Sequence, residues 1–527
     1  MTDTLKKGKD RVSRSKQWWL FAVFLLSLSA AALSIYFTYV KPTISTYSEC
    51  RVISITYIVV AGLVILGAAL TYLLGTVFRV RLHLVFLAAA MAFGMGYALV
   101  FPPATVPDEE IHMNTAYQYS DFFFGERVRV EKKAAVVFRA ADAEFENFGT
   151  EETLENIGKQ YAHIFETCAD DTPTVVEVTT LHNYPLLHLF CGMGIALGRL
   201  LGLGTVFTAL LGKIFNLMFF VGMTTLAIWL MPFGKKILFG VGLLPMTLHL
   251  AASYNYDAVI LGLSFVTVAY WLRLAFREER VTVRDLLIGC LFNFLLAPCK
   301  IVNLLLCFVC LLIPVKKVGS WKKWLLYMLV AIGVAIASVL LIQSAWLGSH
   351  VNSGNGHIVS WANEEGYTLQ WILQNLSEYR RMLVKTLVRN AGLYFEQMLG
   401  SSLSWLNFDL PSYCVYAFGF LLLCCCFRRE TEPDCISFRQ KLLIVLGTVG
   451  YIVLVMTGLL ISWTPLSYKI VLGLQGRYFL PILPVSMLLL YGKSVVLRDG
   501  SERTLCNVIA GVEAVTLLLA FSTIPLA

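Results

Sequence analysis

Apolar runs of 18 or more residues recur from one end of the chain to the other, divided by short clusters of basic residues. A helix rising 1.5 Å per residue needs about 20 apolar residues to cross a hydrocarbon core about 30 Å thick. The pattern predicts spans near 17–40, 52–77 and 82–101, then two apolar segments at 184–203 and 205–231. Further spans are predicted at 237–253, 256–274, 285–299, 301–315, 324–347, 413–427, 441–462, 478–495 and 505–526. An odd number of crossings must separate the loop at 102–183 from Lys235 and Lys236, so one of the two segments 184–203 and 205–231 is interfacial or broken; the pattern does not say which. About 13 crossings follow. The runs 285–299 and 301–315 are short and read as half-helices meeting a cavity inside the membrane. The expected fold is all-α: a polytopic transmembrane helical protein. Its first apolar run is too long for a signal peptide and lacks a small-residue cleavage pattern, so it reads as a retained anchor.

Composition agrees and narrows the class. The 527 residues are 57% hydrophobic and 14% charged, with mean hydropathy +0.70, against roughly 25% charged in a soluble domain. A soluble enzyme, a disordered chain and a disulfide-stapled mini-protein are excluded. The formal charge of +8 is unevenly spread: residues 102–183 hold 16 of the 34 acidic residues. The basic residues gather elsewhere, among them Arg79 and Arg81, Lys235 and Lys236, Arg273 to Arg284, Lys316 to Lys323, Arg428 to Lys441, and Lys493 to Arg503. By the positive-inside rule these mark cytoplasmic ends, and no nucleic acid is needed to explain them. Five regions follow: 1–101 with three spans, an acidic outer loop at 102–183, a central module at 184–347, a second outer segment at 348–412, and C-terminal helices at 413–527. Most of the 13 cysteines lie in apolar runs, where they act as small hydrophobes. Only Cys50 and Cys168 could form a disulfide in outer loops.

The same topology puts several polar residues on the outer side, at the ends of different spans. Pro107-Asp108-Glu109-Glu110 with His112 follows the third span. It is also an ordinary helix start, although Asp108 and His112, four apart, share a face. Asn255 and Asp257 lie between two spans, where a solvated boundary is the plain alternative. Lys300 separates two short apolar runs, and a charge there either snorkels to the interface or serves a function. Gln475-Gly476-Arg477-Tyr478 opens the penultimate span; the Arg is either an interfacial anchor or a planar fork for phosphate.

These residues, together with Leu244-Pro245-Met246, Trp405-Leu406-Asn407 and Leu410-Pro411, resemble the bacterial membrane family called domain of unknown function 2142 over about residues 85–495. The chain departs from that pattern at Tyr256, where proline is usual, and at Asn407, where aspartate is usual. The family is similar in layout to GT-C glycosyltransferases, with a large first outer loop carrying interfacial helices. The similarity implies transfer of a sugar from a polyprenyl-phosphate carrier to a glycan or envelope polymer, at the outer face of the cytoplasmic membrane. In that reading Asp108 is the base, Glu109 and His112 orient groups, and Asp108 and Glu109 could hold Mg2+ or Mn2+. Lys300 and Arg477 would grip phosphate, and Asn255, Asp257, Gln475 and Tyr478 would complete substrate binding. A transporter or flippase of a lipid-linked glycan is the alternative from another class, although no internal repeat is visible. A non-catalytic assembly scaffold is a third.

Overall fold

The structure is a computed structural model that describes residues 2–126, 134–147, 149–178, 181, 184–344, 358–429, 432, 436–492, 496–498 and 500–526. The expected region boundaries at 183/184 and 347/348, and the basic residue Lys493, lie outside the described residues. Among the described residues eight helices are long and apolar enough to cross a membrane: Ser15–Ile44, Cys50–Val77, Leu82–Val100, Thr205–Leu230, Asp257–Phe276, Trp321–Ile342, Phe438–Trp463 and Ser501–Thr523. The chain is a polytopic helical membrane protein. Of the two segments left open by the sequence, Thr205–Leu230 has crossing length with 26 residues, whereas Leu189–Leu200 has 12.

The remaining apolar segments are broken for local reasons. Residues 235–251 divide into Lys235–Gly242 and Pro245–Ala251, the second starting on a proline that has no N–H to continue the first helix. Val283–Leu296 gives way at Pro298 to a 3-10 turn, Ala297–Cys299, and then to extended backbone at Lys300. Residues 301–312 alternate between 3-10 and α turns. The penultimate segment opens as a 3-10 turn, Gly476–Phe479, before the five-residue helix Leu483–Met487.

Asp257–Phe276 is the central helix, packed against Thr205–Leu230 and 89% buried over its most apolar window. Its Trp271 is wholly buried, and the indole N–H donates to Asn293 Oδ1 at 3.0 Å while Asn293 Nδ2 donates to the Ala331 carbonyl at 3.0 Å. A buried polar group this deep persists because it is satisfied. Ser15–Ile44 and Phe438–Trp463 are only 11% and 28% buried, and their exposed Leu26, Leu33, Leu446 and Val449 form the lipid-facing rim.

The basic clusters gather at one end of the bundle. Arg429 bonds Glu502 at 2.8 Å, Gly234 N donates to Glu432 at 3.3 Å, Lys317 reaches the Glu278 carbonyl at 3.2 Å, and Arg81, Lys235 and Arg273 neighbour one another. Capping boxes at Thr282/Asp285 and Ser437/Gln440 start two helices nearby.

The fold is mostly helical, as expected, and the segment 102–183 adds a small β element to it. Besides the helices Glu109–Phe124 and Leu154–Ala162 it holds an antiparallel ladder of Ala134–Arg139 with Pro173–Val178. Only Pro173–Val178 alternates between exposed and half-buried positions, as an edge strand does, while Ala134–Arg139 is buried from Ala135 on and its Val136 and Phe138 pack with Tyr117, Cys191 and Tyr254. A buried ionic knot locks this module. Arg139 grips Asp142 through two nitrogens at 2.6 and 3.0 Å, and Asp142 also accepts from Tyr117 Oη and Thr205 Oγ1. Arg199 bridges Asp121 at 2.7 Å and Glu126 at 2.6 Å. Burial outweighs the Arg199 pairing at Asp121, whose carboxyl is pushed up to about 7. Cys50 and Cys168 are free thiols, so the disulfide is absent.

Candidate functional site

At the end of the bundle away from the basic clusters, Asp257 begins the central helix just after the loop Ser253-Tyr254-Asn255-Tyr256. Asn255 shapes that start, its side-chain oxygen accepting from Asp257 N at 2.8 Å. Asn216 Nδ2 holds the loop from below, donating to the Ser253 and Asn255 carbonyls at 2.7 and 3.0 Å. The Asp257 carboxylate then meets two cations from distant parts of the chain. Lys300 Nζ donates to it at 2.8 Å, and Arg477 Nε stands 3.9 Å from its other oxygen. Two tyrosines complete the cluster: Lys300 lies 4.7 Å over the Tyr256 ring and 5.0 Å over Tyr478, while Arg477 lies 5.5 Å over Tyr478. Cation–π contact lowers the cost of keeping these charges partly dry.

Two cations against one carboxylate leave a surplus of one positive charge. The Lys300 side chain is 28% exposed, so the surplus can be reached. Arg477 is held in place from behind. Gly476 packs so closely that a Cβ there would come within 2.1 Å of the Tyr394 carbonyl oxygen, and its N–H donates to Gln397 Oε1 at 3.1 Å. Gln475 precedes it, and its side-chain oxygen is buried without a hydrogen bond.

His112 joins the same cluster through Tyr256, ring against ring at 4.9 Å. His188, which the sequence reading passed over, bonds His112 at 3.0 Å through Nε2 and stacks on it. One turn before His112 is Asp108. It has φ +59°, in the left-handed region that costs a non-glycine residue roughly 1–2 kcal/mol. Its side chain is exposed, does not cap the helix, and makes no hydrogen bond or ion pair among the described residues. A strained residue with no structural bond to justify it is a functional candidate.

Glu109 goes elsewhere. It is buried, and its two oxygens accept from Tyr254 N at 3.0 Å and Val106 N at 3.1 Å, bracing the Asp108 loop against the Asp257 loop. Burial raises its carboxyl, with Lys213 opposing. Lys213, wholly buried in Thr205–Leu230, donates to the Phe101 carbonyl and also faces Glu152. Above it, Ser404 in the hairpin at 402–409 donates through Oγ to the Thr105 carbonyl at 2.6 Å and through N to His249 Nε2 at 3.3 Å. The structure thus brings Asp257, Lys300, Arg477, Tyr478 and His112 together, with Asn255 as support. It places Glu109 in a bracing layer beneath and Asp108 at the exposed edge. No group of three or more His, Cys, Asp or Glu side chains converges as metal ligands among the described residues.

A partly open charged cluster, held at one end of a bundle of crossing helices, defines a polytopic membrane protein with a polar site at its surface. The chain belongs to the family described as "Predicted membrane protein (DUF2142)", which matches it over residues 91–486. That match takes in Asp108, Asp257, Lys300 and Arg477 and leaves out the first two spans. No curated protein matches the chain.

Proposed function

We propose that the chain is a membrane glycosyltransferase of GT-C layout that moves a sugar from a polyprenyl-phosphate carrier to an acceptor glycan or envelope polymer. In this reading the site faces the outside of a bacterial cytoplasmic membrane, the shorter and broken segments bring the crossings to about 13, and the five regions drawn from the sequence act as units. The observation that carries it is the pairing of Lys300 and Arg477 on the single carboxylate of Asp257, which leaves one positive charge unbalanced. Nucleotide sugars are absent outside that membrane, so a donor there must bring its own activating phosphate.

The chemistry follows from the residues. Asp108 takes the proton of an acceptor hydroxyl as that oxygen bonds the anomeric carbon. The bond from that carbon to the carrier phosphate breaks, and Lys300 and Arg477 receive the charge on the departing phosphate oxygen. Asp257 keeps both cations aimed, Tyr256 and Tyr478 flank them, and Glu109 fixes the backbone that presents Asp108. His112, Asn255 and Gln475 support substrate and loop. A Mg2+ or Mn2+ ion held by Asp108 and the lipid phosphate would add to the charge available.

The test is purified protein incubated with polyprenyl-phosphate sugars and candidate acceptors, wild type beside Asp108→Asn. Transfer by wild type and a loss of 100-fold or more in the variant is expected, within the range general-base catalysis supplies. Equal turnover by both removes Asp108. Movement of intact lipid across vesicles without sugar transfer replaces the reading with a flippase.

A further inference from the structure

The helix Leu376–Leu399 runs along the side of the molecule that carries the charged site. Its last turns press on the Gly476 backbone, and its earlier turns are tied to neighbouring segments: Tyr379 Oη bonds Thr457 Oγ1 at 2.7 Å, and Thr386 Oγ1 accepts from Val471 N at 2.9 Å. One face is buried through Met382, Leu383, Thr386, Tyr394 and Met398. Among the described residues nothing covers the other face, and its side chains sort into stripes. At 3.6 residues per turn Val384, Val388 and Phe395 fall within about 40° of one another, Arg381, Lys385 and Arg389 occupy about the next 80°, and Arg380 lies on the far side of the apolar stripe. All seven are exposed, Val388 to 80%.

The cations are the unusual part. Basic residues of a crossing protein collect on one side, as the clusters at the other end of this bundle do, so four on the opposite side need a reason. The acids of the helix do not supply it. Glu378 pairs with Lys469 at 3.2 Å and Glu396 accepts from Tyr416 Oη at 2.8 Å, and none of the four cations has an ion pair among the described residues. The helix also stands at the height of the membrane boundary. Thr457, to which it is tied, lies about 9 Å below the end of the lipid-facing span Phe438–Trp463. There Trp463 packs against Trp361 with ring centres 6.2 Å apart, and Tyr468 lies 6.4 Å from Trp361. Exposed aromatic rings at the end of a span mark the level of the lipid headgroups.

We infer that this face of Leu376–Leu399 is a headgroup-binding surface for anionic phospholipid, in which Val384, Val388 and Phe395 enter the acyl boundary and the four cations hold the phosphates around them. Amphipathic helices of this pattern gain both from apolar burial and from attraction to negative lipid. The apolar stripe favours a bilayer surface over a soluble polyanion, which would leave those side chains in water. The surface is separate from the Lys300 and Arg477 cluster, and the inference does not depend on sugar transfer.

Hydrogen–deuterium exchange of the helix Leu376–Leu399, read by mass spectrometry on the full chain in nanodiscs, tests this at the surface itself. The lipids are phosphatidylcholine alone and an equal mixture of phosphatidylcholine with phosphatidylglycerol. In wild type the anionic lipid should slow exchange of the helix by about fivefold or more, the worth of about one cation at an anionic surface. The combined Arg381→Gln, Lys385→Gln and Arg389→Gln variant should lose that slowing, and Lys385→Gln alone should lose part of it. Arg381→Lys, Lys385→Arg and Arg389→Lys together keep the charge and should retain it. Wild type that exchanges alike in both membranes overturns the inference, as does slowing that survives the triple Gln change. Inorganic polyphosphate is added to the phosphatidylcholine nanodiscs as the soluble competitor; slowing by polyphosphate without slowing by phosphatidylglycerol would assign the surface to a soluble polyanion instead.

Discussion

Two buried ionic clusters face the same side of the molecule and are built to opposite stoichiometries. At the module 102–183, Arg139 and, from the helix Leu189–Leu200, Arg199 meet three carboxylates, and tyrosine, threonine and backbone donors add bonds to Asp142 and Asp121. At the start of the central helix, two cations meet one carboxylate. A knot with no positive charge to spare holds two segments together and does not call for an anion. One short of negative charge is an anion site in waiting, and its openness costs stability that the flanking tyrosines partly restore.

The largest expected effect lies in the closed knot. Arg139→Met strands Asp142 in a buried setting and should destabilise the protein by about 3–5 kcal/mol, read as a fall in melting temperature in detergent. Lys300→Met leaves the Asp257–Arg477 pair in place. It should cost little stability yet weaken lipid-phosphate binding by about 10- to 100-fold, the worth of one charge-assisted hydrogen bond. A Lys300 variant that melts as early as the Arg139 variant would mean both clusters are structural.

Asp108→Gly separates strain from function. Glycine accepts the left-handed backbone, so stability should rise by about 1 kcal/mol while sugar transfer is lost; an unchanged melting temperature would show that φ +59° carries no strain. The smallest effect is a pH response of the closed knot. The Asp121 carboxyl stands at about 7 when folded, against the ordinary 3.8. The native state therefore holds its proton where the unfolded chain has released it. Stability from this group is full below pH 3.8, falls as pH rises toward 7, and is level above. Asp121→Asn should remove that slope from the melting profile.

Eight long spans among the described residues and the gathering of basic residues at one end were legible in the sequence, because membrane crossing imposes long runs. The sequence also set Lys300 and Arg477 on one face with the acids near Asp108, but it did not show Asp257 as the carboxylate the two cations share. The ladder Ala134–Arg139 with Pro173–Val178 was not legible, since its strands stand more than 30 residues apart and each is short enough to pass for loop. Lys213 was visible in principle: it sits in an apolar run, and the rule applied to Lys300 selects it equally. His188 gave no signal of its own, because its role depends on a ring contributed from 76 residues earlier. Glu109 shows the converse difficulty. A pair of neighbouring acids reads as one unit, but a helix start turns adjacent side chains to different sides, sending one to solvent and the other into the protein.

Gly476 carries a warning for anyone reading a mutational scan of this chain. Almost any substitution there would collide with main-chain atoms of the helix Leu376–Leu399 and dislodge its neighbour's guanidinium. The position would score as intolerant as a reactive group while touching nothing that is bound or transformed. Sensitivity at that locus measures how tightly two backbones are pressed together, and a ranking by lost activity alone would mistake the hinge pin for the blade.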